Sequence, residues 1–288
     1  DRANVFDPVS GTIVQVGTEG VPRSGYATDT NNVAPRVGLA WAPGGRGDTV
    51  IRGGYGIYYN QSALAPGEGL YFNPPYFDFN LYFPLPGLPL TLANPFPEQF
   101  PLPTPPSALA FDPALKTPWL EQWSVGVQRK FGGRRAIEIA YVGSRGHDLL
   151  TARDINQPEP SPVPVNRRPD PRFGDIVSLE STARSRYDAL QVTAQQRMRD
   201  GLTLHAAYTL GKSTDDASDF FTSAGDPNFP QDSNNPGADH GRSSFDVRHR
   251  FTASFAYVLP FGAGQRWASE GWAARVLGDW TIAGIFTA

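Results

Sequence analysis

From Trp119 to Phe131 the chain alternates in character at nearly every residue. Trp119, Glu121, Trp123, Val125, Val127, Arg129 and Phe131 hold the odd positions; Leu120, Gln122, Ser124, Gly126, Gln128 and Lys130 hold the even ones. One face is mostly large and apolar, the other small or polar. A period of two is that of a β-strand with unlike faces. A second arm follows, with Ile137, Ile139 and Tyr141 on one face and Ala136, Glu138, Ala140 and Ser144 on the other. Gly132-Gly133 between them supplies the positive φ that a tight hairpin needs. The alternation recurs elsewhere, as in Val37, Leu39 and Trp41, in Leu204, Ala206, Tyr208 and Leu210, and in Phe251, Phe255 and Tyr257. It predicts antiparallel strands at 34–43, 49–61, 117–131, 135–147, 185–199, 201–213, 245–260 and 277–287, paired in sequence order.

The segments between strands sort by length. Three hairpin turns are short, and the fourth, about 260–277, is longer. The connections between hairpins are long, about 62–116, 153–182 and 214–243, and residues 1–33 are turn-rich and mostly loop. Short turns at one end and long loops at the other mark a transmembrane β-barrel. A β-sandwich has no reason to sort its loops this way. Loop 62–116 is too dense in Pro for central strands and too aromatic for simple disorder, so it reads as an ordered surface-covering loop. Large aromatics fall at two levels: Trp41, Phe131, Phe261 and Trp280 near the short turns, and Tyr59, Trp119, Tyr208 and Phe245 near the long loops. Two lipid–water interfaces select that placement. The expected fold is therefore all-β, an antiparallel meander of about eight long strands, part of a larger transmembrane barrel.

Composition narrows the function. Charged residues are 18% of the chain, aromatics 12%, and Gly (30) and Pro (28) are frequent, which argues against a helical protein. The net charge of −3, with no basic stripe, disfavours a nucleic-acid partner. With no Cys there is no disulfide framework and no thiolate site. No apolar run reaches the roughly 18 residues of a membrane helix, which does not exclude a membrane barrel, since barrel strands are short and only alternately apolar. The chain starts at Asp1 in a polar stretch without an initiator Met, and we expect a fragment.

The residues also resemble a known family, the Oar-like TonB-dependent receptors of the bacterial outer membrane. The likeness lies in N-N-V-A-P-R-V-G-L-A-W (31–41), T-V-I-R-G-G-Y-G-I-Y-Y (49–59), T-P-W-L-E-Q-W-S-V-G-V-Q-R (117–129) and I-E-I-A-Y-V-G-S-R-G-H (137–147). It continues in R-Y-D-A-L-Q-V (186–192), Y-T-L-G-K-S-T-D-D (208–216) and F-D-V-R-H-R-F-T-A-S-F-A-Y-V-L-P-F-G (245–262). The resemblance implies a barrel of about twenty-two strands around a plug domain. It also implies a carboxypeptidase-regulatory-like domain ahead of the plug. This chain departs from the pattern: it shows no plug, no TonB box and no terminal aromatic residue. We expect a piece from the middle of such a barrel, in the outer membrane. Its partners would be outer-membrane lipid and an unknown solute, with the plug and the TonB complex engaged through other parts of the parent.

Catalytic signals are weak. His147, His205, His240 and His249 lack a metal-binding spacing, and no nucleophile elbow or phosphate loop is present. No enzyme activity and no cofactor are expected. Arg46-Gly47-Asp48 spells an adhesion tripeptide, but it falls in a short turn on the periplasmic side. Two sets carry more interest. Asp232, Asn234, Asn235 and Asp239, with Asp215, Asp216 and Asp219 nearby, offer oxygen ligands for Ca²⁺. Arg52, Glu138, Asp246, Arg248 and Arg250 fall on polar faces and are candidate lumen-facing charges. The expected role is transport of an unknown solute by a plugged barrel. A surface adhesin or interaction barrel is the alternative, and a soluble carbohydrate-binding or hydrolase domain is a third reading.

Overall fold

The computed structural model describes the chain apart from residues 1–2, 19, 46, 61–68, 78–89, 96–104, 163–166, 200 and 220–227. Arg46 of the adhesion tripeptide and most of the Pro- and aromatic-rich loop 62–116 therefore lie outside the described residues. In chain order the strands are β1 (Asn4–Asp7), β2 (Thr12–Gln15), β3 (Arg36–Trp41), β4 (Thr49–Tyr59), β5 (Ala108–Phe111) and β6 (Trp119–Phe131). Then come β7 (Arg135–Asp154), β8 (Ile176–Arg199), β9 (Leu202–Asp215), β10 (Gly241–Arg242), β11 (His249–Val258), a helix α1 (Gly271–Leu277) and β12 (Thr281–Thr287).

Eight strands form one wall in the order β3-β4-β6-β7-β8-β9-β11-β12, each antiparallel to the next. They are the strands the alternation predicts. The wall is an open, curled half-barrel, as a fragment of an outer-membrane barrel should be. Gly132 and Gly133 take φ of 57° and 74° in the β6–β7 turn, as the hairpin requires. The register holds one face together across the wall. Trp41, Ile51, Val127, Ile139, Val192, Tyr208 and Phe251 are successive partners on β3, β4, β6, β7, β8, β9 and β11. This face stays uncovered: Val125 is 52% exposed and Ile139 50%. In water each such side chain would forgo roughly 1.5–3 kcal/mol of burial, so the face is built for an apolar solvent.

The structure departs from the sequence expectation in three places. β7 has 20 residues and β8 has 24, well beyond 135–147 and 185–199. Register shifts fall between Gly146 and Leu149 and between Leu149 and Thr151, with Asp148 at φ 51°. A bulge moves the following side chains to the other face, so the alternation stops while the pairing continues. A tilted strand crosses a bilayer in about 9–11 residues, so the far ends of β7 and β8 extend past it. Loop 153–182 shrinks accordingly, because β7 runs to Asp154 and β8 starts at Ile176.

The second departure is residues 1–33, which hold β1 and β2 rather than loop alone. β1 pairs with β2, and β5 pairs in parallel with β1 and with the start of β8. Together they cap the extended β7–β8 ends. The cap holds the main buried apolar core of the described residues. Val5, Val16, Leu70, Phe111, Leu115, Ala152 and Leu179 form one cluster, and Phe6, Ala108, Ala110 and Ile176 another. Buried polar groups are paired. The Asn156 amide donates to the carbonyls of Asp170 (2.9 Å), Phe173 (3.1 Å) and Gly174 (2.8 Å), and its oxygen accepts from the Asp170 N–H (2.7 Å). Arg168 bridges Asp154 (3.0 Å) and Asp175 (2.6 Å). Asn73 ties β1 to β5 by donating to the carbonyls of Asn4 (2.8 Å) and Leu109 (3.2 Å) and accepting from the Leu109 N–H (2.7 Å). Third, the turn at 260–277 contains α1.

Candidate functional site

The face opposite the aliphatic band is built from small residues with a few charges. Ala40, Arg52, Gly126, Ala140, Gln191, Thr209 and Arg250 are successive partners across seven strands. Glu138 lies on the adjacent row of the same face, between Gln128 and Thr193. Arg248 stands opposite Gly211, whose N–H donates to its carbonyl at 3.0 Å. By register Arg52, Glu138 and Arg250 lie on one face of the sheet, and Arg248, one residue before β11, has the same parity. They do not converge. Arg52 and Arg250 are five strand steps apart, about 24 Å at the usual strand spacing. Among the described residues, no ion pair joins any two of these four.

Asp246 behaves differently. It precedes β11, which begins at His249, and its carboxylate accepts from the Ser213 N–H (2.7 Å) and the Arg242 guanidinium (2.8 Å). Its side chain is only 3% exposed. The carboxylate fastens the turn before β11 to the end of β9 rather than standing free on a strand.

A shallow basin of about 540 Å³ lies over β3, β4, β6, β7 and Tyr187 of β8. Gly38, Gly54, Gly56 and Ser124 are among its lining residues, with Arg36, Tyr58, Gln122, Ser144 and Tyr187. The Tyr58 ring folds over Gly56 and the Tyr187 ring over Gly211. The Arg36 guanidinium sits 4.4 Å from the Tyr58 ring centre, a cation–π contact. Two phenols, an amide, hydroxyls and a guanidinium can stack against and hydrogen-bond a polar solute. Nothing there forms a nucleophile–base pair.

The oxygen-rich loop is folded around its own backbone. Asp232 accepts from the Asn234 N–H (2.9 Å), and Asp239 from the Gln231 N–H (2.9 Å). Asp215 accepts from the Ser218 hydroxyl (3.0 Å), while Asp216 accepts from the Arg184 N–H (2.8 Å) and meets His240 at 2.7 Å. The Asn235 N–H donates to the Asp232 carbonyl at 2.9 Å. Among the described residues, no three His, Asp or Glu side chains are grouped to hold a metal ion.

One arrangement escaped the sequence reading. On the aliphatic face, toward the cap, polar pairs bridge neighbouring strands. Tyr141 donates to Asp188 at 2.5 Å, and Asp188 also takes Arg186 at 2.6 Å. Glu121 accepts from Tyr55 at 3.3 Å and meets His147 at 2.9 Å, and His147 stacks on Trp119 with ring centres 4.1 Å apart. The signal was present, since Glu121 stands on the apolar-face positions between Trp119 and Trp123. It marks where the band gives way to a polar surface.

The model of a family described as "Outer membrane beta barrel domain" matches residues 1–288. No curated protein sequence matches. Among solved structures, the chain is similar to the outer membrane transporter YddB from Escherichia coli, at 12% identity and a TM-score of 0.48, over 78% of this chain and 26% of that one. It is similar to the alcaligin outer membrane receptor FauA from Bordetella pertussis, at 14% identity and 0.41, over 89% and 29%. It is similar to the FrpB iron transporter from Neisseria meningitidis, at 12% identity and 0.44, over 79% and 24%. The chain thus spans about a quarter of the length of the solved proteins it matches.

Proposed function

Because this chain belongs to the outer membrane beta barrel domain family, we propose that it is a wall segment of an Oar-like TonB-dependent receptor, which moves a solute across the outer membrane. One observation carries the reading. The wall carries an aliphatic band on one face, edged by polar pairs toward the cap, and small residues, sparse charges and a polar basin on the other. That is the construction of a barrel with a hydrated interior. In this reading Arg52, Glu138, Arg248 and Arg250 face the lumen, where they meet a plug, water or the solute, and Asp246 holds the rim. The short turns lie in the periplasm and the cap lies outside the cell. The segment performs no catalysis, and energy reaches the receptor through its plug and TonB.

The cap favours a second reading, a surface interaction barrel without transport. Its own buried core gives it a fixed shape to present outside the membrane. Site-directed cross-linking of the full-length protein to the periplasmic domain of TonB in cells separates the two. Cross-links that appear when an energised transporter is working support transport. Their absence, with correct insertion of the barrel verified, leaves the surface reading.

A further inference from the structure

The turn between β11 and β12 holds three of the six Trp residues of the chain, Trp267, Trp272 and Trp280. A loose turn would have no use for them. This one is built. The Trp267 N–H donates to the Pro260 carbonyl (3.0 Å), and the Gly262 N–H donates to the Trp267 carbonyl (3.1 Å). Phe261 packs on Trp267 with ring centres 5.5 Å apart. α1 is fastened at its C-terminal end. The Trp280 indole donates to the Val276 carbonyl at 2.9 Å. Gly262 and Gly278 touch so closely that a Cβ on Gly262 would stand 2.6 Å from the Gly278 Cα, and Gly262 takes φ 106°. The helix position is therefore fixed by the backbone.

With that position fixed, the helix turns its small residues toward the turn and its large ones away. Ala273 and Ala274 are half-buried, while Trp272 is 77% exposed, Val276 58% and Leu277 45%. Trp272 and Val276 are four residues apart and so share a helix face. Trp280, one residue before β12, keeps the parity of Ile282, the partner of Tyr257, and its carbonyl accepts from the Leu259 N–H at 2.8 Å, so it continues the lipid-facing band. Arg266 lies over the Trp267 ring at 5.7 Å, and Arg275 is in the last turn of α1.

We propose that the 261–280 turn is a membrane anchor: α1 lies in the headgroup layer of the periplasmic leaflet. Trp272, Val276 and Leu277 enter the acyl boundary, and Arg266 and Arg275 meet lipid phosphates. Two features select this occupant: continuity with the lipid-facing band, and indoles that favour an interface with one wet and one apolar side; Arg266 and Arg275 are balanced by Glu270 and Asp279, which suits a zwitterionic headgroup layer. The proposal rests on the orientation given above, which puts the short turns in the periplasm.

The test uses site-directed spin labels in the full-length protein in phosphatidylethanolamine–phosphatidylglycerol vesicles. This chain contributes no native Cys to interfere. Labels go on Trp272→Cys and Val276→Cys, with Val125→Cys in the mid-band and Gly133→Cys in the β6–β7 turn as references. Heat-modifiable mobility selects folded protein for each variant. The expected result is a several-fold higher ratio of oxygen to nickel-chelate collision rates at 272 and 276 than at 133, below the ratio at 125. Values at 272 and 276 equal to that at 133 place α1 in water and overturn the proposal. Low collision rates with both probes bury α1 against protein and also overturn it. A water-like value at 125 instead sinks the membrane reading, so the two failures are distinct.

Discussion

The wall and the cap are two parts of one hydrogen-bonded sheet, yet they treat apolar residues in opposite ways. In the cap, Phe111 is 2% exposed, Leu179 1% and Ala152 0%. In the wall, Leu39 is 68% exposed, Trp41 57% and Val125 52%. β7 and β8 belong to both, and their side chains change regime along the strand. Near Ile139 and Val192 they face outward as part of the band, and past the bulge Ala152 and Leu179 are sealed under β1, β5 and Phe111. The hydrophobic effect acts on both regions, but the wall satisfies it with lipid and the cap with protein. The cap should therefore fold on its own terms in water, whereas the wall should need a bilayer.

The largest expected effect tests whether the two regions separate. Phe111→Ala removes the largest fully buried side chain among the described residues and should cost the cap about 3–5 kcal/mol. Limited proteolysis of the full-length protein in vesicles should show faster cleavage within residues 1–33, with heat-modifiable mobility unchanged. Loss of both together would make cap and wall one cooperative unit and end the comparison.

The next effect tests the lipid side. Val125→Arg puts a charge in the apolar band and should cost roughly 2–4 kcal/mol in a barrel, while Ser124→Arg, one residue away on the polar face, should be tolerated. Urea unfolding in liposomes measures both. Equal losses would mean that protein covers both faces, and a larger loss for Ser124→Arg would mean that the wall is inside out.

A smaller effect probes the polar interior of the cap. Asn156 is 1% exposed and satisfies four backbone groups, so Asn156→Ala should destabilise the cap by about 1–3 kcal/mol. Hydrogen exchange at Asp170 and Ile176 should rise, and exchange in β6 should not.

The smallest effect is a pH response. The Ser10 hydroxyl holds the Asp7 carboxyl below its ordinary 3.8, the Thr117 N–H does so for Asp29, and the Arg172 guanidinium for Asp170. A depressed carboxyl stabilises the fold fully above its unfolded value and loses that contribution as pH falls through the lower folded value. The cap should therefore become more protease-sensitive with an acid-stable protease as pH drops below about 3.8, with little change between pH 5 and 8. Uniform sensitivity down to pH 2 would remove this claim.

The same contrast explains what the sequence discloses. The wall was legible because Val125, Val127, Ile137 and Ile139 alternate with small or polar residues, and period two survives any register of pairing. The cap was not, because β1, β2 and β5 have only four residues each and β5 is covered on both sides. Such a strand has no alternation to read, and its partners lie far away in sequence. Of the candidate charges, parity alone puts Arg52, Glu138 and Arg250 on one face of the sheet. Asp246 was not readable that way, since its role depends on Ser213 and Arg242 coming together in three dimensions. α1 was hidden because seven residues, Gly271 to Leu277, give too few turns to show a helical period.

The pairing order also has a temporal side. Within the hairpins β3–β4, β6–β7 and β8–β9 each strand meets its neighbour across a short turn, so these pairs can form early from nearby contacts. Closing the cap requires Phe6 to find Ala110, 104 residues on, and Ala108 to find Ile176, 68 residues on. Long-range contacts wait for the loop entropy of everything between them. The cap should thus be a latch that shuts last, on a wall already in place. Pulse-labelling hydrogen exchange during insertion should find β6 and β7 protected before β1, and the reverse order would refute the sequence of events.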